Sequence, residues 1–153
     1  MKRERLMGRL TGEWEAFQKS FGDLPSDVLL EPGVVERWSI RDLLSHITTW
    51  EEEALKALPV ILEGKPLRRY STLYGGIDAF NAQTHERKRG YPLDQVLQEL
   101  AGTHRRLLAF VENVSDSAFT TENRLLRRLR QDTYAHYREH AAHISAWRKK
   151  KGF

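Results

Sequence analysis

The sequence predicts an all-α protein built as an antiparallel four-helix bundle with short additional helical segments. Three observations carry that prediction. Apolar residues recur at intervals of three and four in every long segment, the period of one helix face. Prolines and glycines gather between those segments. No run of alternating apolar and polar residues marks a strand, and no internal repeat or low-complexity tract breaks the pattern.

Leu6, Leu10, Trp14, Phe17 and Phe21 form one stripe and define a first helix, whose start Gly8 and Gly12 weaken. The stretch GDLPSDVLLEPGVVERW that follows has two prolines and two glycines and reads as a structured connection. A second helix opens at WSIRDLLSHITTWEEEALKAL. Ser39 is a good N-cap there, and Asp42 completes a capping-box pattern at the positive end of the helix dipole. Its stripe is Ile40, Leu43, Leu44, Ile47, Ala54 and Leu58; Pro59 is expected to kink or end it, and EGKP ends it in any case.

After a loop with Tyr70 and YGG, IDAFNAQTHERKRG reads as a shorter helix punctuated by Gly90 and Pro92. The next helix has Pro92 in its first turn and a stripe of Leu93, Val96, Leu97, Leu100, His104, Leu107 and Val111. SDSAFTTEN is a connector. A final helix runs from about Arg124 or Gln131 to Lys150.

A chain of 153 residues, 40% hydrophobic and 30% charged, fits a single domain over 1–153 with one core. It has no cysteine, so any metal must be held by nitrogen and oxygen. The basic N-terminus lacks the unbroken apolar run of a signal peptide, and no segment is long and apolar enough to span a bilayer. A soluble, cytoplasmic protein with no membrane partner is expected. The net charge of +4 comes from 25 basic and 21 acidic residues, scattered and interleaved. That dispersion, and the lack of a recognition-helix pattern, argue against a nucleic-acid partner.

The unusual feature is DTYAHYREHAAHISAW, with three of the six histidines in eight positions. On a helix His136, His140 and His143 fall within an arc of roughly 60°, shared with Trp147, where a bundle helix is normally apolar. His136 and His140, four apart, can place two imidazoles on one ion. An HxxxH arises by chance about one time in five at this histidine count, so its position on the stripe carries more weight than the spacing. His46, on the second long helix, is either a third ligand at the rim of that helix's stripe or a surface histidine near a helix end. His143 is open between ligand, supporting partner and hydrogen-bonded core residue. His104 suits the core and His85 solvent. Trp50 and Trp147 are expected to pack the core or wall a pocket, while Tyr137 and Glu139 flank the histidine pair as possible proton donor or base.

WSIRDLLSHITTWE, with a histidine eight positions after a tryptophan, resembles the second-helix signature of the DinB/YfiT-like superfamily. DTYAHYREHAAHISAW resembles its last helix, where an HxxxH supplies two further ligands. EPGVVERWS and DAFNAQTHER look most like the ClbS/DfsB branch, named for colibactin self-resistance. The resemblance implies a four-helix bundle, often a homodimer, with a divalent metal, nickel or zinc, on His46, His136 and His140. It also implies thiol-dependent transferase or isomerase chemistry, or, in the self-resistance branch, hydrolytic detoxification of a reactive cyclopropane.

Three functional expectations follow. The first is a small metalloenzyme of detoxification or stress response, acting on a small-molecule substrate with or without a thiol cosubstrate. Here Trp50 and Trp147 wall the pocket, and Glu53 or Tyr137 shuttles a proton. The second is a metal-free hydrolase or a protein that sequesters a small molecule in the same pocket. The third, DNA binding, rests on the net charge and arginine pairs and is set aside for the dispersion noted above.

Overall fold

A computed structural model of the protein describes residues 2–153. Its elements are α1 (Arg3–Phe21), α2 (Ser26–Leu29), α3 (Ile40–Leu62), α4 (Tyr70–Leu73), α5 (Ile77–Lys88), α6 (Leu93–Asn113), a 3-10 turn (Asp116–Phe119), α7 (Arg124–Asp132) and α8 (Tyr134–Lys151). Among the described residues there is no strand, only an isolated bridge between Val35 and Trp38. The four long members are α1, α3, α6 and the α7–α8 pair. Helix α3 packs on α6 and α7, and α1 packs on α8.

The apolar stripes decide this packing. Leu6, Leu10, Trp14, Phe17 and Phe21 are all buried on α1. Helix α3 begins as its sequence specifies: the Asp42 amide donates to Ser39 Oγ at 3.1 Å, and the Ser39 amide donates to Asp42 Oδ2 at 2.9 Å. Ile40, Leu43, Leu44, Ile47, Ala54 and Leu58 join one continuous core cluster. Pro59 does not end α3, which runs on to Leu62. So close to the helix end, the missing N–H frees only one carbonyl, and the chain closes the turn at Glu63 and Gly64. Pro92 stands just before α6 as its N-cap, and Leu97, expected in the stripe, is 38% exposed.

The last helix differs most from expectation. It is two helices, broken at Thr133, whose backbone (φ −128°, ψ −103°) leaves the helical region. The Thr133 hydroxyl donates back to the Leu129 carbonyl, which secures the end of α7. On α8 the fully inward positions are Tyr134, Tyr137, His140, Ile144 and Trp147, so His136 and His143 lie on the flank of the stripe rather than along its centre.

A polar lock ties the long helices together. Glu51 of α3 is fully buried, its Oε2 accepting from the Tyr137 hydroxyl of α8 at 2.8 Å and lying 2.9 Å from His104 Nδ1 of α6. Trp14 of α1 stacks on the His104 ring with centroids 3.7 Å apart. Burial raises the Glu51 carboxyl above its ordinary range, against the opposing pull of His104 and Tyr137. One residue from each long member meets here. A slip in rotation of α3, α6 or α8 would break the hydrogen bonds to Glu51 Oε2, while α1 contributes ring stacking alone.

Candidate metal centre

His46 sits on α3 about two turns after the capped start, and His136 and His140 sit on the first two turns of α8. The contact of α3 with α7 and α8 brings them together. His136 Nε2 lies 3.0 Å from His46 Nε2 and 3.0 Å from His140 Nε2. One nitrogen from each of the three rings falls within 4.8 Å of the others. His140 turns its other nitrogen toward His143, with the two Nδ1 atoms 3.2 Å apart.

Burial is the main influence on all three imidazoles and disfavours their charged forms. It lowers His46 to about 4, and with the help of neighbouring histidines lowers His136 to about 2 and His140 to about 3. Each is neutral at pH 7, the form that ligates a metal.

The residues present fit a borderline divalent ion. Two donors each about 2.1 Å from one ion are about 3.0 Å apart at a right angle and about 3.4 Å apart at the tetrahedral angle, so the observed 3.0 Å separations lie at the short end of that range. Without an ion, His136 Nε2 must answer two nitrogens with a single proton or lone pair. Its Nδ1 is buried with no hydrogen-bond partner among the described residues. Three convergent neutral nitrogens and no thiolate suit nickel or zinc better than calcium or magnesium.

The histidines form part of an open cleft of about 940 Å³. Trp38 packs edge-on against His46 and stacks on His85, both with centroids 5.0 Å apart. Trp50 is held by a 2.9 Å hydrogen bond from its Nε1 to Asn81 Oδ1 and by packing on Tyr70 and Phe80. Asp132, the last residue of α7, also lines the cleft. Its Oδ2 accepts from Arg128 Nε at 2.6 Å, while Oδ1 has no hydrogen-bond partner among the described residues. Burial raises this carboxyl to about 6 despite Arg128.

Three of the expected residues lie elsewhere. Tyr137 projects about 100° around α8 from His136 and is consumed in the core by Glu51. Burial and that carboxylate raise its phenol well above the ordinary value. Glu53 is two turns beyond His46, pairs with Lys56 and Tyr70, and lines a separate cleft with Arg128. Trp147 shares the angular sector of the histidines but is about 10 Å farther along the axis than His140. It packs on Phe153 and does not line the cleft. Trp50, by contrast, does line it.

Sequence reasoning missed Trp38, Asn81, His85 and Asp132 as cleft residues. Trp38 carried a signal, since it precedes the Ser39 cap by one position and so must lie near the start of α3. Asp132 carried none, because its placement depends on the break at Thr133.

The fold and site define a helical-bundle protein with three imidazoles converging from its second and last long helices into an open cleft. The chain belongs to the DinB superfamily, matching it over residues 9–147. Solved structures share the fold. The colibactin self-resistance protein ClbS, solved in complex with a dsDNA, superposes with a TM-score of 0.78 at 16% identity, covering 97% of this chain and 96% of that one. DfsB, described as a sibling lethal factor precursor, gives 0.79 at 14% identity over 99% and 97%. An uncharacterised protein from Escherichia coli UTI89 gives 0.79 at 13% identity over 99% and 95%. No curated protein matches the sequence.

The ClbS complex corrects one expectation. The sequence argues against duplex DNA as a partner, because its basic residues are dispersed and it carries no recognition-helix pattern. A protein of the same fold is nevertheless seen with dsDNA, so those two features do not exclude nucleic acid. As expected, no helix among the described residues is long and apolar enough to cross a membrane.

Proposed function

We propose that the protein is a metal-dependent small-molecule enzyme of detoxification or stress response, a hydrolase or a thiol-dependent transferase. The observation that carries this reading is the convergence of three neutral imidazoles in a cleft roomy enough for an organic substrate. Nickel or zinc held by His46, His136 and His140 would supply Lewis acidity, lowering the pKa of a water or thiol and polarising an electrophile. His143 orients His140 from behind through their Nδ1 atoms. Trp38 and Trp50 hold the apolar body of the substrate. Asp132 takes the proton-shuttle role in place of Glu53 and Tyr137, exchanging a proton at its free Oδ1.

The test is consumption of a panel of strained-ring electrophiles, with and without an added thiol, followed by mass spectrometry. Zinc- or nickel-loaded protein is expected to turn over at least one, and a chelator, His136→Ala/His140→Ala or Asp132→Asn to abolish it. Turnover indifferent to chelator and to the histidine pair would replace this mechanism with a metal-free one.

Duplex DNA binding is a second reading, supported by the ClbS complex and the net charge of +4. Fluorescence anisotropy with a labelled duplex tests it. Binding that weakens steeply between about 50 and 200 mM salt is the expected result, since each phosphate contact releases a counterion; no binding at low salt removes the reading.

A further inference from the structure

The charges lining the cleft run against those of the whole protein. Five carboxylates line it, those of Glu36, Asp78, Glu86, Asp132 and Glu139, and among the described residues no lysine or arginine does. This occurs in a chain with net charge +4. Two of the five are answered from outside: Glu86 by Arg89 at 3.1 Å and Asp132 by Arg128 at 2.6 Å. Among the described residues, Glu36, Asp78 and Glu139 have no ion-pair and no hydrogen-bond partner. Unanswered carboxylates also occur singly elsewhere on the surface, at Glu4, Glu15, Asp27, Asp94 and Glu112, while Glu13, Asp23 and Glu31 are bridged to an arginine or lysine. What sets the cleft apart is that its carboxylates gather at one opening with no lysine or arginine among the described residues that line it.

The three unanswered carboxylates come from separate parts of the chain: the turn before α3, the first turn of α5 and the second turn of α8. They therefore surround the opening instead of following from the composition of one segment. Glu36 reaches its place at φ +53°, a left-handed backbone conformation uncommon for glutamate. A divalent ion on three neutral imidazoles would offset two of the three negative charges, leaving the cleft negative with the metal in place. Trp38 and Trp50 line the same space, and aromatic rings attract cations.

We propose that the cleft selects an organic cation, a positively charged nitrogen carried on a flat apolar body. The proposal rests on the cleft being the substrate pocket of the enzyme described above. The nitrogen lies among Glu36, Asp78 and Glu139, and the apolar body lies against Trp38 and Trp50. Anionic molecules of the same shape are turned away by the same carboxylates.

Three probes of one shape test this by calorimetry: naphthylmethyl-trimethylammonium, naphthylmethanol and naphthoate. The quaternary nitrogen cannot ligate a metal, so its affinity reports the cleft alone. In zinc-loaded protein the cation is expected to bind on the order of ten-fold more tightly than the alcohol, as three partly screened charges would produce. That preference should disappear in Glu36→Gln/Asp78→Asn/Glu139→Gln, whose exposed substitutions leave the thermal transition in place. Equal or tighter binding of the alcohol or carboxylate overturns the proposal, as does failure of the cation to bind at all.

A zinc titration of the wild-type protein, run beside the same three probes in zinc-free protein, separates this proposal from the metal reading. Cation preference with no zinc bound by the wild-type protein would sink the metal reading and leave the selectivity standing. Stoichiometric zinc with no cation preference would do the reverse.

Discussion

Metal uptake at pH 6 probes the imidazole cluster most sharply. Burial lowers His46 to about 4 and, with neighbouring histidines, lowers His136 to about 2 and His140 to about 3. Three ordinary imidazoles with pKa about 6.5 would together carry about 2.3 protons at pH 6, all of which a metal must displace. The same three rings in the folded protein carry almost none. Calorimetric titration of zinc into metal-free protein at pH 6, in two buffers of different protonation enthalpy, counts the released protons. The expectation is fewer than about 0.5 per site. Release near two would show that the rings are solvated and protonated before binding, and would refute the buried, preformed cluster. The same shifts have a sign for stability. A histidine whose folded pKa is depressed stabilises the metal-free fold above pH 6.5, and that contribution is lost as pH falls from 6.5 toward the folded values.

Three further predictions concern single side chains. Tyr137→Phe removes the hydroxyl that donates to the fully buried Glu51 and should lower urea stability by about 2 kcal/mol; an unchanged midpoint would contradict the polar lock. Asp132 has its pKa raised from 3.8 to about 6, so its contribution is fully present below pH 3.8 and is lost as pH rises through 6. The stability of the parent relative to Asp132→Asn should thus fall between pH 4 and pH 7, by at most about 3 kcal/mol, and a pH-independent difference would contradict it. His143→Ala keeps all three convergent nitrogens but frees His140 Nδ1, and should weaken zinc binding about 10- to 100-fold; unchanged affinity would deny His143 its orienting role.

The fold was legible because each long helix carries its own stripe and punctuation. Ser39 and Asp42 marked the start of α3, and the five apolar residues of α1 are the five it buries. Two features of the site escaped for physical reasons. Angular position on a helical wheel ignores height, so Trp147 shared an arc with the histidines while packing about 10 Å away from His140 along the axis. The break at Thr133 has no proline or glycine to announce it, yet it sets the end of α7 and brings Asp132 to the cleft. Tyr137 and Glu53 were singled out for proximity in sequence and on the helix face. Their actual partners, Glu51 and Tyr70, come from tertiary packing that local spacing does not encode. The exclusion of nucleic acid failed for a related reason, since dispersed charge in sequence does not determine which surface a bundle presents.

The central claim is that His46, His136 and His140 hold a divalent metal. Its most direct test is the metal content of protein purified without an affinity tag, beside His136→Ala/His140→Ala prepared in parallel. Close to one nickel or zinc per chain is expected in the parent and none in the variant. No metal in the parent, even after incubation with zinc and nickel, would contradict it.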